Sequence, residues 1–198
     1  MHLNSELLFA RYAKDYFRPG MRVLEIGPDG FPSAYRKSIN DSSIGWDTLD
    51  LHESPQLTHR ARSPYEFPIP DATYDIAVSG QVIEHVGRIW VWIREVARVV
   101  KPGGMVITIN PVSWPYHRFP IDCWRIYPDG MKALYEDASL EVLFSAWECL
   151  ETPQYRTKPG RSLHTRSRKS QMIWSILGKL GARVEAAYDT VTIGKKRG

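Results

Sequence analysis

Short apolar runs alternate with segments of helical periodicity along most of the chain, and this alternation restricts the fold more than any other feature. The runs MRVLEI (21–26), SIGWDTLDL (43–51), TYDIAVS (73–79), MVITIN (105–110), LEVLFSAWECL (140–150) and DTVTI (189–193) read as strands, with a weaker one over 57–61. Between them, Leu3, Leu7, Leu8, Tyr12 and Tyr16 predict a helix within 1–18 that stops at Pro19-Gly20. Ile89, Ile93, Val96 and Val100 mark one face of another helix, ended by Lys101-Pro102-Gly103-Gly104. A short helix over about 32–39 and one over 170–182 complete the series. Seven strands taking turns with helices imply an α/β fold: a Rossmann-like, doubly wound, mostly parallel sheet with helices on both faces.

Composition narrows the classes. With 198 residues, 43% hydrophobic and 24% charged, the chain has the material for one domain with a substantial core, expected to span 1–198. No run of eighteen apolar residues suggests a membrane span, and the first residues mix charge with apolar positions, unlike a leader, so a cytoplasmic protein is expected. Cys123 and Cys149 lie in no CxxC and are expected as buried thiols. The six histidines are scattered, so no metal is expected. The net charge of +4 is uneven. Arg156, Lys158, Arg161, Arg166, Arg168 and Lys169 crowd a basic loop over 153–170 that contains Pro159-Gly160. Such a loop is either solvated surface or an attractor of an anionic substrate. RNA is the weaker candidate, since no recognisable RNA-binding module accompanies it.

In an open α/β sheet, ligands gather beyond the carboxyl ends of the strands. After the first strand the chain reads Gly27-Pro28-Asp29-Gly30, where glycines let backbone amides approach a ligand closely. Asp50 ends the second strand twenty residues past Gly30, the spacing at which a carboxylate accepts both ribose hydroxyls of a nucleoside. A dinucleotide would require G-x-G-x-x-G to cradle its pyrophosphate. G-P-D-G instead puts a carboxylate there, which suits a cofactor carrying ammonium and sulfonium groups.

VLEIGPDG, followed in order by TLDL, FPIPDATYDIAVSGQVIEHV and REVARVVKPGGMVITIN, resembles the class I S-adenosylmethionine-dependent methyltransferases, in particular their type 11 subgroup. The resemblance covers about residues 20–112. It implies S-adenosylmethionine as cofactor, with Glu25, Gly27 and Gly30 around its methionine end, Asp50 on the ribose and Leu51 against the adenine. Ser79, Gly80 and Gln81 would close the reactive side, with His85 one turn beyond. Where many relatives carry an adenine-binding acid, this chain has Ser63. A further segment, HRFPIDCWRIYPDGM (117–131), resembles H-x-x-P-x-D-x-x-R-x-x-P-x-G-hydrophobic, found in members acting on small molecules or glycans. That resemblance makes 112–135 a candidate substrate-covering segment, with Trp114, Tyr116, Asp122 and Arg125 as contacts and His117 as a base that Asp122 orients. Those same residues also read as a pinned loop, with Asp122 and Arg125 a local ion pair.

The expected activity is methylation of oxygen, before nitrogen or carbon, on a small molecule, glycan or lipid-linked intermediate. An RNA-directed enzyme, a cofactor-binding protein without chemistry and a nicotinamide-dependent oxidoreductase are the competing classes.

Overall fold

The computed structural model describes residues 3–150 and 187–198, with Met172, Ile176 and Leu180. The basic loop over 153–170 and most of the helix expected over 170–182 lie outside the described residues. The strands are β1 (Arg22–Ile26), β2 (Gly45–Asp50), β3 (His59–Arg60), β4 (Tyr74–Gly80), β5 (Val100–Ser113), β6 (Leu140–Glu148) and β7 (Tyr188–Lys196). They form one sheet in the order β3-β2-β1-β4-β5-β7-β6. Pairings from β3 across to β5 are parallel, and β7 runs antiparallel to both its neighbours. Strand order reverses beside β1, where a topological switch opens a crevice above the sheet.

Alternation along each strand divides the core into two layers. Val23, Ile76, Val78, Ile107 and Ile109 face the N-terminal segment and helix α2 (Ala34–Ser38). Leu24, Ile26 and Ala77 face helix α3 (Ile89–Val99), whose Trp92, Ile93 and Val96 are buried, and helix α4 (Pro128–Asp137). The expected N-terminal helix is a composite: α1 (Leu3–Leu8), a π turn over Phe9–Ala13 and a 3₁₀ turn over Lys14–Tyr16.

Several expectations change. Lys101-Pro102-Gly103-Gly104 does more than stop α3, because β5 already begins at Val100 and carries these residues as its first turn of strand. Residues 128–137, which the sequence reading left without regular structure, form α4. Pro128 starts it at a position where no amide is required, and Met131 and Tyr135 bury completely against the sheet. Cys123 is exposed and Cys149 half-buried, because both sit in connections that skirt the core. Trp90 points outward, edge-on to Trp124, whereas Trp92 is buried.

Candidate functional site

The crevice beside β1 is a cavity lined by residues from the ends of three strands: Gly27, Asp50, Leu51 and Gln81, with His85 beyond β4. Gly27 fixes its shape. Its φ of +71° lies where a side chain is strained, and an added Cβ would stand 2.3 Å from Val82 Cγ2. The Gly27 amide donates to Leu49 O at 2.9 Å, turning the chain back over β2. Gly80 is required for a different reason: a Cβ there would meet the buried Tyr35 hydroxyl at 2.1 Å.

Period-two alternation sends Glu25 to the same side as Val23, under the loop rather than into the cavity. Glu25 Oε2 accepts from Ser33 Oγ at 2.5 Å and Trp46 Nε1 at 2.8 Å, while Oε1 is buried without a partner. Burial pushes this carboxyl up to about 7, against the pull of those two hydrogen bonds. Asp29 Oδ1 accepts from the Ala34 amide at 2.9 Å, so the carboxylate also serves the chain itself. Ser33 Oγ accepts from the Arg36 amide. The amides that a pyrophosphate would use at the start of α2 are thus already satisfied from within the chain, which disfavours a dinucleotide more firmly than loop charge alone.

Asp50 Oδ1 accepts from the His52 amide at 2.9 Å and keeps 28% of its side chain open beside the cavity. Ala61, directly after β3, also lines the cavity, as do Phe67 and Trp92, which give it an apolar interior. Phe67 is held by its neighbours on α3. Its amide donates to Glu95 Oε1 at 2.6 Å, and Arg98 donates to the carbonyls of Phe67 and Ile69. Gly30, Ser63, Ser79 and Gly80 do not line this cavity. Ser63 Oγ accepts from the Tyr65 amide, and Ser79 Oγ donates to Ile26 O. Gln81, at φ +59°, donates through Nε2 to the buried Asp189 of β7 at 3.0 Å, leaving Oε1 buried and unpartnered.

Residues 114–127 arch over the mouth without regular structure. Asp122, with a side chain only 1% exposed, organises them. Both Arg125 terminal nitrogens donate to it, at 2.5 and 2.7 Å, and the His117 amide donates at 2.7 Å. Burial pushes the Asp122 carboxyl up, but these bonds outweigh it and hold the group below the usual carboxylate range. Arg125 also donates to Trp114 O and Pro115 O, so this pair pins the segment to itself. Trp114 is half-buried and Tyr116 is exposed; neither lines the cavity. Phe119 roofs it, with its ring 5.2 Å from His52 and 6.4 Å from His85. The Cys123 amide donates to Glu84 O at 2.7 Å, tying the arch to the 3₁₀ turn Ile83–His85.

The sequence reading names His85 and His117 in separate segments, and the structure places their rings 4.9 Å apart. It omits Glu84, Phe67, Ala61, Trp92 as a lining residue, and Phe119. An acid beside a histidine after an apolar strand is the one signal that points to Glu84; the others become visible only once the chain is folded.

Residues 38–108 match the family model described as "Methyltransferase domain". A probable S-adenosylmethionine-dependent methyltransferase of Mycolicibacterium smegmatis is 33% identical over 102 residues, covering 46% of this chain and 38% of that protein. The chain therefore spans well under half the length of that curated relative. Among solved structures, an S-adenosylmethionine-dependent methyltransferase from Archaeoglobus fulgidus superposes with a TM-score of 0.63 at 17% identity, covering 96% of this chain and 92% of that one. The [4+2]-cyclase SpnF superposes with a TM-score of 0.62 at 16% identity, covering 98% and 80%. Family match, relative and fold agree with the resemblance read from the motifs: residues 38–108 match a methyltransferase domain, and the sheet has the Rossmann-like α/β fold of solved S-adenosylmethionine-dependent methyltransferases.

Proposed function

We propose that this chain transfers a methyl group from S-adenosylmethionine to an oxygen of a small molecule, glycan or lipid-linked intermediate. One observation carries the reading: Gly27, Asp50 and Gln81 surround a single crevice at the strand ends, with an apolar slot of Phe67 and Trp92 on one side and the His85–His117 pair at its mouth. Asp50 would accept the ribose hydroxyls. The slot behind Ala61 takes a flat adenine, and the unpartnered Glu25 Oε1 lies beneath the loop that would meet the cofactor's methionine end.

Methyl transfer asks mainly for alignment, because the sulfonium is already activated and the reaction is an in-line displacement. An acceptor hydroxyl must also lose a proton. His85 donates Nδ1–H to Ile121 O at 2.5 Å, and a carbonyl only accepts, so its Nε2 carries the free lone pair. Burial depresses the His85 pKa, partly offset by that hydrogen bond, and favours the neutral ring a base requires. Among the described residues no helix is long and apolar enough to cross a membrane, and an acceptor that is lipid-linked would have to present its head to the mouth.

SpnF shows that this fold also supports chemistry other than methyl transfer, so fold alone does not decide the activity. Isothermal titration with S-adenosylmethionine should show saturable binding that weakens by about tenfold or more in Asp50→Ala. Unaltered affinity in that variant overturns the ribose assignment. A screen of acceptor extracts with radiolabelled methyl donor then identifies the substrate, and label appearing only in RNA would replace the small-molecule reading.

A further inference from the structure

Glu84 is the most anomalous residue in the described structure. Its side chain is 1% exposed, and neither carboxylate oxygen accepts a hydrogen bond from another described residue; its own backbone amide is the nearest donor. Burying such a carboxylate without a donor costs several kcal/mol on general grounds, a cost relieved either by a retained proton or by a bound cation. What faces Glu84 is not a donor but another lone pair. Glu84 Oε1 stands 3.8 Å from His85 Nε2, the atom left unprotonated by the bond to Ile121 O. His117 repeats the pattern. Its Nδ1 lies 3.1 Å from Pro115 O, a carbonyl that can only accept, and 3.4 Å from Asp122 Oδ2, so its Nε2 is also left bare. One ligand atom from each of Glu84, His85 and His117 falls within 4.8 Å of the other two.

Two imidazoles and a carboxyl group thus converge on one point, and burial, which raises the Glu84 carboxyl to about 8, leaves its proton as the donor that a cation would displace. Each ring is oriented through its Nδ1 by a backbone carbonyl, Ile121 O for His85 and Pro115 O for His117, and outer hydrogen bonds of this kind hold metal-binding histidines. We propose that Glu84, His85 and His117 form a binding site for a divalent cation of the zinc class at the acceptor side of the cavity. Nitrogen–carboxylate donor sets of this composition suit zinc, cobalt and manganese, and three protein ligands leave coordination positions open. Because His85 lines the cavity and Phe119 roofs it, those positions face the space an acceptor must enter.

The inference deepens the methyl-transfer reading and rests on it for its use. An acceptor with adjacent oxygen donors would chelate the cation through the open positions. Its hydroxyl proton would go to solvent, the oxygen–methyl bond would form as the sulfur–methyl bond broke, and S-adenosylhomocysteine would leave. The histidines then serve as ligands, and the cation takes over the acidifying role.

The test uses the full chain stripped with chelator. Titration with zinc chloride should show one equivalent bound, and cobalt chloride should give visible absorption bands reporting a nitrogen–oxygen coordination sphere. Both should weaken by about tenfold or more in Glu84→Gln and in His117→Ala, and persist in His59→Gln, a histidine outside the cluster. Glu84→Gln puts a neutral amide of the same shape where burial raises the carboxyl to about 8, so near neutral pH its metal-free melting temperature should stay close to that of the parent, while the rise induced by zinc should shrink. If that variant does not fold, His117→Ala, on the arch, decides by itself. Absence of one-to-one binding, or binding unchanged in His117→Ala, overturns the proposal. S-adenosylhomocysteine titrated into the same stripped samples keeps the two readings separate. Cofactor binding without cation binding removes only the metal site, and cation binding without cofactor binding removes the methyl-transfer reading.

Discussion

The two sides of the cavity are built by different means. On the side proposed for the cofactor, Gly27, Asp50 and Gln81 sit at the ends of paired parallel strands, and position follows from backbone registry such as Glu25 opposite Thr48 and Val78. On the acceptor side, residues 114–127 have no ladder, and side-chain bonds converging on Asp122 set their course. A wall made by backbone tolerates changes of side chain but not of backbone freedom. A wall made by side chains depends on one or two residues.

Replacing Gly27 by Ala should do the greatest damage. Left-handed strain of about 1 kcal/mol and overpacking against Val82 of about 2 kcal/mol should together lower the unfolding free energy measured in urea, with cofactor binding lost in parallel. The double variant Gly27→Ala/Val82→Ala should regain the overpacking part; if it regains nothing, contact with Val82 is not the cause.

Glu25 gives the next largest effect. Its folded pKa of about 7 exceeds the ordinary carboxylate value, so the folded chain holds a proton that the unfolded chain has released. Stability from this group is therefore greatest below pH 4.5 and falls as pH rises toward about 7, by something on the order of 2 kcal/mol. Melting temperatures of Glu25→Gln should be flatter across that window than those of the parent. Equal slopes would mean that water or a cation reaches Oε1.

Arg125→Ala strikes the other wall. A quarter of the Arg125 side chain meets solvent, so the loss should be about 1 to 2 kcal/mol, below that of a fully buried pair. It should appear as faster proteolysis within 114–127, with cofactor affinity changed less than tenfold. A collapse of cofactor binding would show that the two walls are not independent. Phe119→Ala is the mildest change. Its ring is 65% exposed, so stability should move by less than about 0.5 kcal/mol, while lost ring contacts of about 1 kcal/mol should weaken cofactor binding severalfold. Unchanged affinity assigns the roof to the acceptor alone.

The same division explains what the sequence makes legible. All seven strands, the loop at Gly27 and Asp50 at a strand end follow from periodicity and punctuation, which are local properties, whereas Gln81 is named by the family resemblance. Helix α4 escapes because Pro128 and Gly130 read as loop punctuation, although proline at a first helical position is a start signal. The bond from the Ala34 amide to Asp29 is not legible because α2, capped by Ser33, is only five residues long and hardly marked in the pattern. Glu84, His85 and His117 escape as a unit because thirty-one residues separate the two histidines, and only the arch, anchored at Cys123 to Glu84, brings them together.

One feature of the sheet bears on how the chain assembles. β7 is inserted between β5 and β6 and carries Asp189, whose carboxylate accepts from Gln81 and from Asn4. During synthesis, therefore, β6 emerges with no edge to join, and Gln81 lacks its anchor, until residue 196 has left the ribosome. The half made of β1 to β5 is free to form early, but the Gln81 wall of the cavity must await β7.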